Sequence, residues 1–266
     1  MGGILLSGLH LYPVKSLAGL DLKRARLERH GLAHDRRWMV VDEAGVFLPQ
    51  RQVPKMALVH PRLAAGGLRL GAPGMPDLEL DPAAAGAARM AVEVWGDRCN
   101  AWPVGEAADA WLSDFLGRPC RLVEMPPDGL RRVDPEYGET GDRTAFSDGF
   151  PLLLISRASL EDLNRRLESP LPMRRFRPNL VVEGCAPYAE DRWRRIRIGD
   201  LGFRVVKPCS RCVITTIDPD TAEKGVEPLR TLSRYRRQGN KVMFGQNLIG
   251  DGAGELAVGM EVEVLA

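Results

Sequence analysis

The sequence predicts a mainly β fold with helices added (α+β), arranged as two small β-rich halves. Three observations carry that prediction. With 28 Gly and 20 Pro among 266 residues the chain turns often, which favours many short strands over long helices. The first hundred residues are apolar runs and period-two alternation broken by tight turns, a spacing that suits a barrel or sandwich. Residues 125–143 (MPPDGLRRVDPEYGETGDR) are polar, turn-rich and without either periodicity, as in a linker or long functional loop between two halves. The boundary is accordingly set between 1–125 and 126–266, and Arg131 and Arg132 are read as solvated surface.

Taken in order, ILLSGLHLYPV (4–14) is an apolar strand and LDLKRARLERH (20–30) an alternating one. RWMVVDEAGVFLPQR (37–51) reads as a hairpin turning at Glu43-Ala44-Gly45. LRLGAPGMPDLELD (68–81) and MAVEVWGDRCNAWPV (90–104) continue the pattern, the latter with a turn at Gly96-Asp97. GEAADAWLSDFLG (105–117) changes period: Trp111, Leu112, Phe115 and Leu116 share a helical face, and Gly117 suits a C-cap. In the second half FPLLLIS (150–156) is a buried strand. SRASLEDLNRRLES (156–169) is a helix with capping-box spacing at Ser159 and Asp162 and an apolar stripe of Leu160, Leu163 and Leu167. NLVVEG (179–184), IRIGDLGFRVV (196–206) and CVITTID (212–218) read as strands. EPLRTLSRYRRQ (227–238) is a short helix with Pro228 in its first turn, and KVMFGQNLI (241–249) and MEVEVLA (260–266) are strands. No internal repeat is present.

Composition narrows the function. Thirty-seven basic against 35 acidic residues leave a net charge of only +2, which argues against a dedicated nucleic-acid binder while allowing local Arg clusters for a small anion. The N-terminal apolar run has no basic region ahead of it and is too short to span a bilayer, so neither signal peptide nor membrane segment is expected. Met1-Gly2 fits a myristoylation start only weakly. Five cysteines are too few and odd in number for a disulfide scaffold, so free thiols and a cytoplasmic location are expected.

Two of those cysteines stand in KPCSRCVITTIDPDT (207–221). A structural zinc site wants four Cys or His ligands, but the four histidines (10, 30, 34 and 60) lie far away in the first half. A thioredoxin-type pair wants a helix after the first thiol, whereas the flanks FRVVKP and VITTID are β-branched. Inert buried thiols remain open on chemistry alone. So does a single metal-binding thiolate, which the basic Lys207 and Arg211 would stabilise, with Ser210 beside it to hold an oxyanion.

PCSRCVITTIDPDT resembles the cysteine motif of the MOSC superfamily, the domain type found at the C-terminus of molybdenum cofactor sulfurases, and most closely its amidoxime-reducing branch. LYPVKSLAGL, HDRRWMVVD, FSDGFPLLLIS, SLEDLNRRL, FRPNLVVEG, YAEDRW, EPLRTLSRYR and FGQNL resemble further family segments in family order, so the likeness covers nearly the whole chain. It implies an N-terminal MOSC-type β-barrel domain followed by a C-terminal MOSC β-barrel with short helices. It also implies a pterin-dithiolene molybdenum cofactor with Cys212 as the protein's metal ligand, and Cys209 as a supporting thiol. Lys15, Ser16, Arg36, Arg177 and Ser210 would hold the cofactor's anionic and polar edges, with Asn179 fixing the Arg177 loop or a pterin edge.

The implied reaction is reduction of small N-hydroxylated compounds, with Asp148 orienting substrate or supplying a proton. Two departures bear on this. Where relatives carry small hydroxyl residues, this chain has Gly149 and Phe150, leaving backbone N–H groups to do the work. The ferredoxin-type cysteine cluster that some bacterial relatives append is missing, so a separate redox protein, ferredoxin-like or cytochrome b5-like with a reductase, is expected to deliver electrons. The alternative is a non-catalytic cofactor-binding or sulfur-carrying protein served by a desulfurase in trans.

Overall fold

In the computed structural model, residues 3–64, 67–81 and 88–266 are described; Met1 and Gly2 lie outside them. Seven strands close into a barrel in the order Leu152–Ser156, Leu180–Glu183, Ile4–Leu11, Glu261–Val264, Arg195–Ile198, Leu201–Ser210 and Lys241–Gly250. Closure comes from antiparallel pairing of Leu152–Leu154 with Gln246–Leu248, and the sole parallel contact in the ring joins Leu154–Ser156 to Leu180–Val182. Alternation along these strands sends Leu6, Leu154, Leu180, Ile196, Phe203 and Leu248 into the interior, each almost fully buried. The first strand of the chain is thus hydrogen-bonded into the sheet of the second half, at Leu5↔Glu183 and Ile4↔Val262.

Of the other N-terminal strands, Leu20–Leu22 pairs with the first strand, and Arg24–Glu28 and Gly31–Leu32 form a small sheet with Gly254–Ala257; the rest make a five-stranded sheet, Met90–Val94, Asp97–Pro103, Arg121–Glu124, Trp38–Val41 and Val14–Lys15, and a three-stranded meander, His60–Ala64, Gly67–Gly71 and Leu78–Leu80. The helix Glu106–Leu116 covers one core with Ala108, Trp111, Leu112 and Leu116, and ends at a left-handed Gly117, as its period and C-cap predict. The hairpin turn at residues 43–45 is found too, closed by the Asp42 carboxylate accepting from Ala44 and Val46 N–H at 3.0 and 2.9 Å. Among the described residues no helix is long and apolar enough to cross a membrane.

Four sequence readings are corrected. CVITTID is not a strand: Val213–Thr216 is a short 3-10 helix. Its threonines turn the chain by donating to carbonyls three residues back, Thr215 to Cys212 at 3.0 Å and Thr216 to Val213 at 2.8 Å. That local alternative overrides the β-branched preference. The helix Arg157–Asn164 is capped by Ser156, whose hydroxyl accepts from Ser159 N–H at 3.0 Å, while Ser159 itself donates to the buried Glu190 at 2.7 Å. The hairpin after Val94 turns on Trp95-Gly96, both with positive φ, rather than on Gly96-Asp97, which leaves Asp97 in the strand. Arg131 is buried, not solvated, for a reason that belongs to the site.

Candidate functional site

One cleft between the two halves collects all ten residues singled out from the sequence: Lys15, Ser16, Arg36, Asp148, Gly149, Phe150, Arg177, Asn179, Ser210 and Cys212. The cleft opens to solvent, and its empty space, solvent included, is about 920 Å³. Five cations line it, Lys15, Arg36, Arg51, Arg177 and Arg211, against one carboxylate, Asp148. Its backbone is also unusual. Of the seven non-glycine residues with positive φ among the described residues, four line this cleft: Ser16 (70°), Arg36 (49°), Trp95 (55°) and Arg177 (57°). Each left-handed L-residue costs roughly 1–2 kcal/mol, and such residues gather where a site dictates the conformation.

Local structure explains how the cations meet. The short parallel pairing of Val14–Lys15 with Trp38–Met39 brings Lys15 beside Arg36, whose N–H donates to Tyr12 C=O at 2.8 Å. Arg177 caps the 3-10 turn Met173–Phe176 and donates to Leu17 C=O at 2.6 Å. Both guanidiniums lie over the buried Tyr12 ring, at 4.4 Å for Arg36 and 4.3 Å for Arg177. Burial and the neighbouring Arg36 charge push Arg177 down to about 10, while burial pushes the Tyr12 phenol up to about 12.

Arg36 is held by the buried Asp35 carboxylate, by Asn179 Oδ1 at 3.0 Å and by the Arg177 carbonyl at 3.3 Å. Asn179 in turn receives Leu153 N–H at 3.3 Å and donates to His10 C=O at 3.2 Å. Its side chain therefore fixes Arg36, which in turn holds the Arg177 carbonyl, and ties together the strands behind them.

Lys15 is buried, donates to Phe146 C=O at 2.8 Å and forms a close ion pair with Asp148 Oδ1. The same oxygen accepts from Trp95 Nε1 at 2.9 Å. Partial desolvation at the cleft wall raises the Asp148 pKa, but the Lys15 charge and hydrogen bond, with help from Trp95, overcome it and hold the carboxyl well below its usual range. The low pKa favours the carboxylate form of Asp148 over a proton-donor role. Gly149 and Phe150 follow it along the cleft wall, and among the described residues their N–H groups have no hydrogen-bond acceptor.

The segment carrying Asp148 is anchored from behind by Arg131, which donates to Ser147 C=O at 2.7 Å and to Asp97 at 3.1 Å. Removing that guanidinium orphans buried carbonyls, so Arg131→Ala is expected to lower stability by about 2 kcal/mol, read as a reduced urea midpoint. Loss of less than about 0.5 kcal/mol contradicts the anchoring role.

The cysteine motif enters from the strand Leu201–Ser210, whose pairing with Lys241–Gly250 slips twice, between Val205/Lys207 and between Pro208/Ser210. Opposite it, Gly245 has φ +83°, and a Cβ there would lie 2.7 Å from Ile155 Cγ1. Beyond the second slip the two thiols diverge. Cys209 is half-buried against the Phe176–Phe244 cluster and accepts from Arg211 Nη1 at 3.1 Å. Cys212 is exposed at the cleft and precedes the 3-10 turn. The Arg211 cation expected to support a thiolate therefore serves Cys209. Lys207 lies instead over the Tyr137 ring at 3.8 Å.

Sequence reasoning missed Arg51, Phe47 and Trp95 on the cleft wall. Only Trp95 carried a signal, a bulky residue ahead of Gly where a hairpin prefers Asn or Asp.

The donor set suits an anionic ligand with room for one soft thiolate contact. Among the described residues no group of three or more His, Cys, Asp or Glu could hold a metal by itself.

Residues 4–119 match the MOSC N-terminal beta barrel domain and residues 141–263 the MOSC domain. The chain is 37% identical to mitochondrial amidoxime-reducing component 1 of Mus musculus, over 97% of this chain and 81% of that protein. For the Homo sapiens protein of the same name the values are 36%, 97% and 82%. It is also 38% identical to the molybdenum cofactor sulfurase of Danio rerio, over 90% of this chain but 31% of that longer protein. On cleft, fold and sequence together, the chain belongs to the MOSC superfamily, as a two-domain member of the amidoxime-reducing-component type.

Proposed function

We propose that this chain is a molybdenum-cofactor-dependent reductase of N-hydroxylated compounds, driven by electrons from a separate redox protein. The observation that carries the reading is the cleft itself, where five cations, one carboxylate and an exposed cysteine converge on positions that match the family motifs. Lys15, Ser16, Arg36, Arg177 and Ser210, with the free N–H groups of Gly149 and Phe150, would hold the phosphate and pterin edges. Arg suits the forked contacts and Lys the point charge. Cys212 would be the metal's protein ligand. When bound, the cofactor would supply the two-electron redox chemistry for reducing an N–OH group.

The overall change consumes two electrons and two protons, converting R–NHOH to R–NH2 and water. The chain's own residues exclude and orient. Phe47, Trp95, Phe150 and Phe176 line the cleft with apolar surface, and Arg211 and Asn179 hold its floor through bonds to Phe176 C=O (2.6 Å) and to Arg36. Asp148, being ionised, does not donate a proton; solvent supplies it. The electron donor would be ferredoxin-like or cytochrome b5-like with its reductase. All five cysteines are free, which suits a reducing compartment, and a cytoplasmic one belongs to the proposal although the vertebrate relatives are named mitochondrial.

Protein made in a cofactor-competent host should copurify with stoichiometric molybdenum and pterin, and reduce an aryl amidoxime to its amidine when given a reduced donor protein. Wild-type protein without bound molybdenum sinks the reading. The exposure of Cys212 and the sulfurase likeness favour one second reading, a sulfur carrier. A Cys212 persulfide in the intact mass, with no N-reductive turnover, would select it.

A further inference from the structure

Beside the cleft lies a second cavity that the proposed reduction does not use. Its empty space, solvent included, is about 790 Å³. Arg177 and Ile214 line both hollows, whereas Tyr12, Gln50 and Arg175 line only the second. The charged groups around it are largely spent on one another. His10 Nδ1 meets Asp21 Oδ1 at 2.6 Å, Arg174 pairs with Asp220, and Arg175 Nη2 donates to Asp218 at 2.8 Å.

The floor is different. Tyr12 and Gln50 are only 2% and 4% exposed. Yet the Tyr12 hydroxyl makes no hydrogen bond among the described residues, and Gln50 Oε1 has no partner there. The Arg175 side chain is 8% exposed and leaves its Nε unpartnered as well. Buried polar groups in folded chains are almost always paired, so three unspent ones on one cavity call for a ligand to complete them. Ala18, Leu20, Ala57, Ile214, Ile217 and Pro219 supply apolar surface around them.

We infer that this cavity is a second binding site, separate from the cofactor cleft and independent of the proposed reduction, for a small uncharged cyclic amide. The class follows from what is unspent. Gln50 Oε1 needs a donor, Arg175 Nε needs an acceptor, and the Tyr12 hydroxyl can serve as either. Burial, which pushes that phenol up to about 12, keeps its proton in place. A lactam carries an N–H and a C=O side by side, with apolar ring edges for the surrounding alkyl groups. A carboxylate has no N–H for Gln50, and its charge would enter a cavity whose cations are already paired or bonded. An ether or a hydrocarbon leaves Gln50 unsatisfied in a site emptied of water. The occupant would lie against Ile214, in the turn that follows Cys212, so the site adjoins the cleft without sharing its floor.

The probe is 2-pyridone, titrated by calorimetry into apoprotein and into cofactor-loaded protein, with benzoate and anisole as the charged and donor-free counterparts. It is expected to bind both protein forms with similar affinity, at least about tenfold more tightly than either counterpart. Tyr12→Phe removes the hydroxyl and keeps the ring beneath Arg36 and Arg177. That substitution and Gln50→Leu should each weaken binding about tenfold. Because the Gln50 oxygen is unspent in the free protein, Gln50→Leu should melt at or above wild type, which separates a binding role from a structural one.

No binding to wild type at up to about 10 mM probe overturns the site. So does binding indifferent to both substitutions, or a preference for benzoate. Binding that disappears on cofactor loading would make the cavity the inner end of the cleft and overturn it too. A chain that takes up no cofactor defeats the proposed reduction instead, and the apoprotein titrations still decide the second site.

Discussion

Cys212→Ser is expected to abolish N-reductive turnover, to below about one-thousandth of wild type, whereas Cys209→Ser keeps activity within about threefold. The physical basis is the divergence of the two thiols. Cys212 is exposed at the cleft and its sulfur has no partner among the described residues, so it is available to a soft metal, and a hydroxyl offers a harder, more weakly donating ligand. Cys209 is half-buried and its sulfur already accepts from Arg211, a role a serine hydroxyl can fill at slightly shorter reach. Folding should distinguish the two in the opposite sense. Cys209→Ser places a hydroxyl against the Phe176–Phe244 cluster and lowers stability by about 1 kcal/mol, while Cys212→Ser leaves stability unchanged. Turnover, molybdenum content and urea midpoints on the three proteins check this. Equal activity losses in both variants, or retention of turnover by Cys212→Ser, would overturn the assignment.

Arg177→Met should separate stability from cofactor retention. Burial and the Arg36 charge hold the Arg177 guanidinium down to about 10, below the ordinary arginine value. A base whose folded value is depressed opposes folding while it is charged, and that opposition fades only as pH rises through about 10. At neutral pH the opposition is on the order of 3 kcal/mol. The hydrogen bond to Leu17 C=O and the contact with Tyr12 offset part of it. Replacement by an apolar side chain of similar length is therefore expected to stabilise the apoprotein by about 1 kcal/mol, or roughly 2–3 °C in Tm. In cofactor-loaded preparations the same substitution removes a forked donor from an anion site, and molybdenum content should fall more than about tenfold. Apoprotein melting and metal analysis on one preparation of each protein suffice. A variant that melts lower and keeps its molybdenum would show Arg177 to be a structural residue.

The barrel strands were legible because alternation and turn chemistry are local, and interior positions such as Leu6, Leu154 and Ile196 announce themselves by period. So was the helix Glu106–Leu116, stripe and glycine cap together. Local reading failed where side chains competed with the backbone. The Thr215 and Thr216 hydroxyls turned a β-branched run into a 3-10 turn, and Ser156 rather than Ser159 took the cap once Glu190 had claimed the latter.

For the site, the sequence alone named ten residues through their motifs, and the structure brings them into one cleft. Their separate duties needed tertiary structure. Arg211 faces Cys209 rather than Cys212, Arg131 is a buried anchor, and Asp148 is paired with Lys15. Those are matters of distance and burial between residues far apart in the chain, and charge pairing across 133 positions, as between Lys15 and Asp148, has no local signature. Trp95 shows the boundary most plainly. Its residue type was visible, but its strained turn, its bond to Asp148 and its open ring exist only once the two halves close on each other.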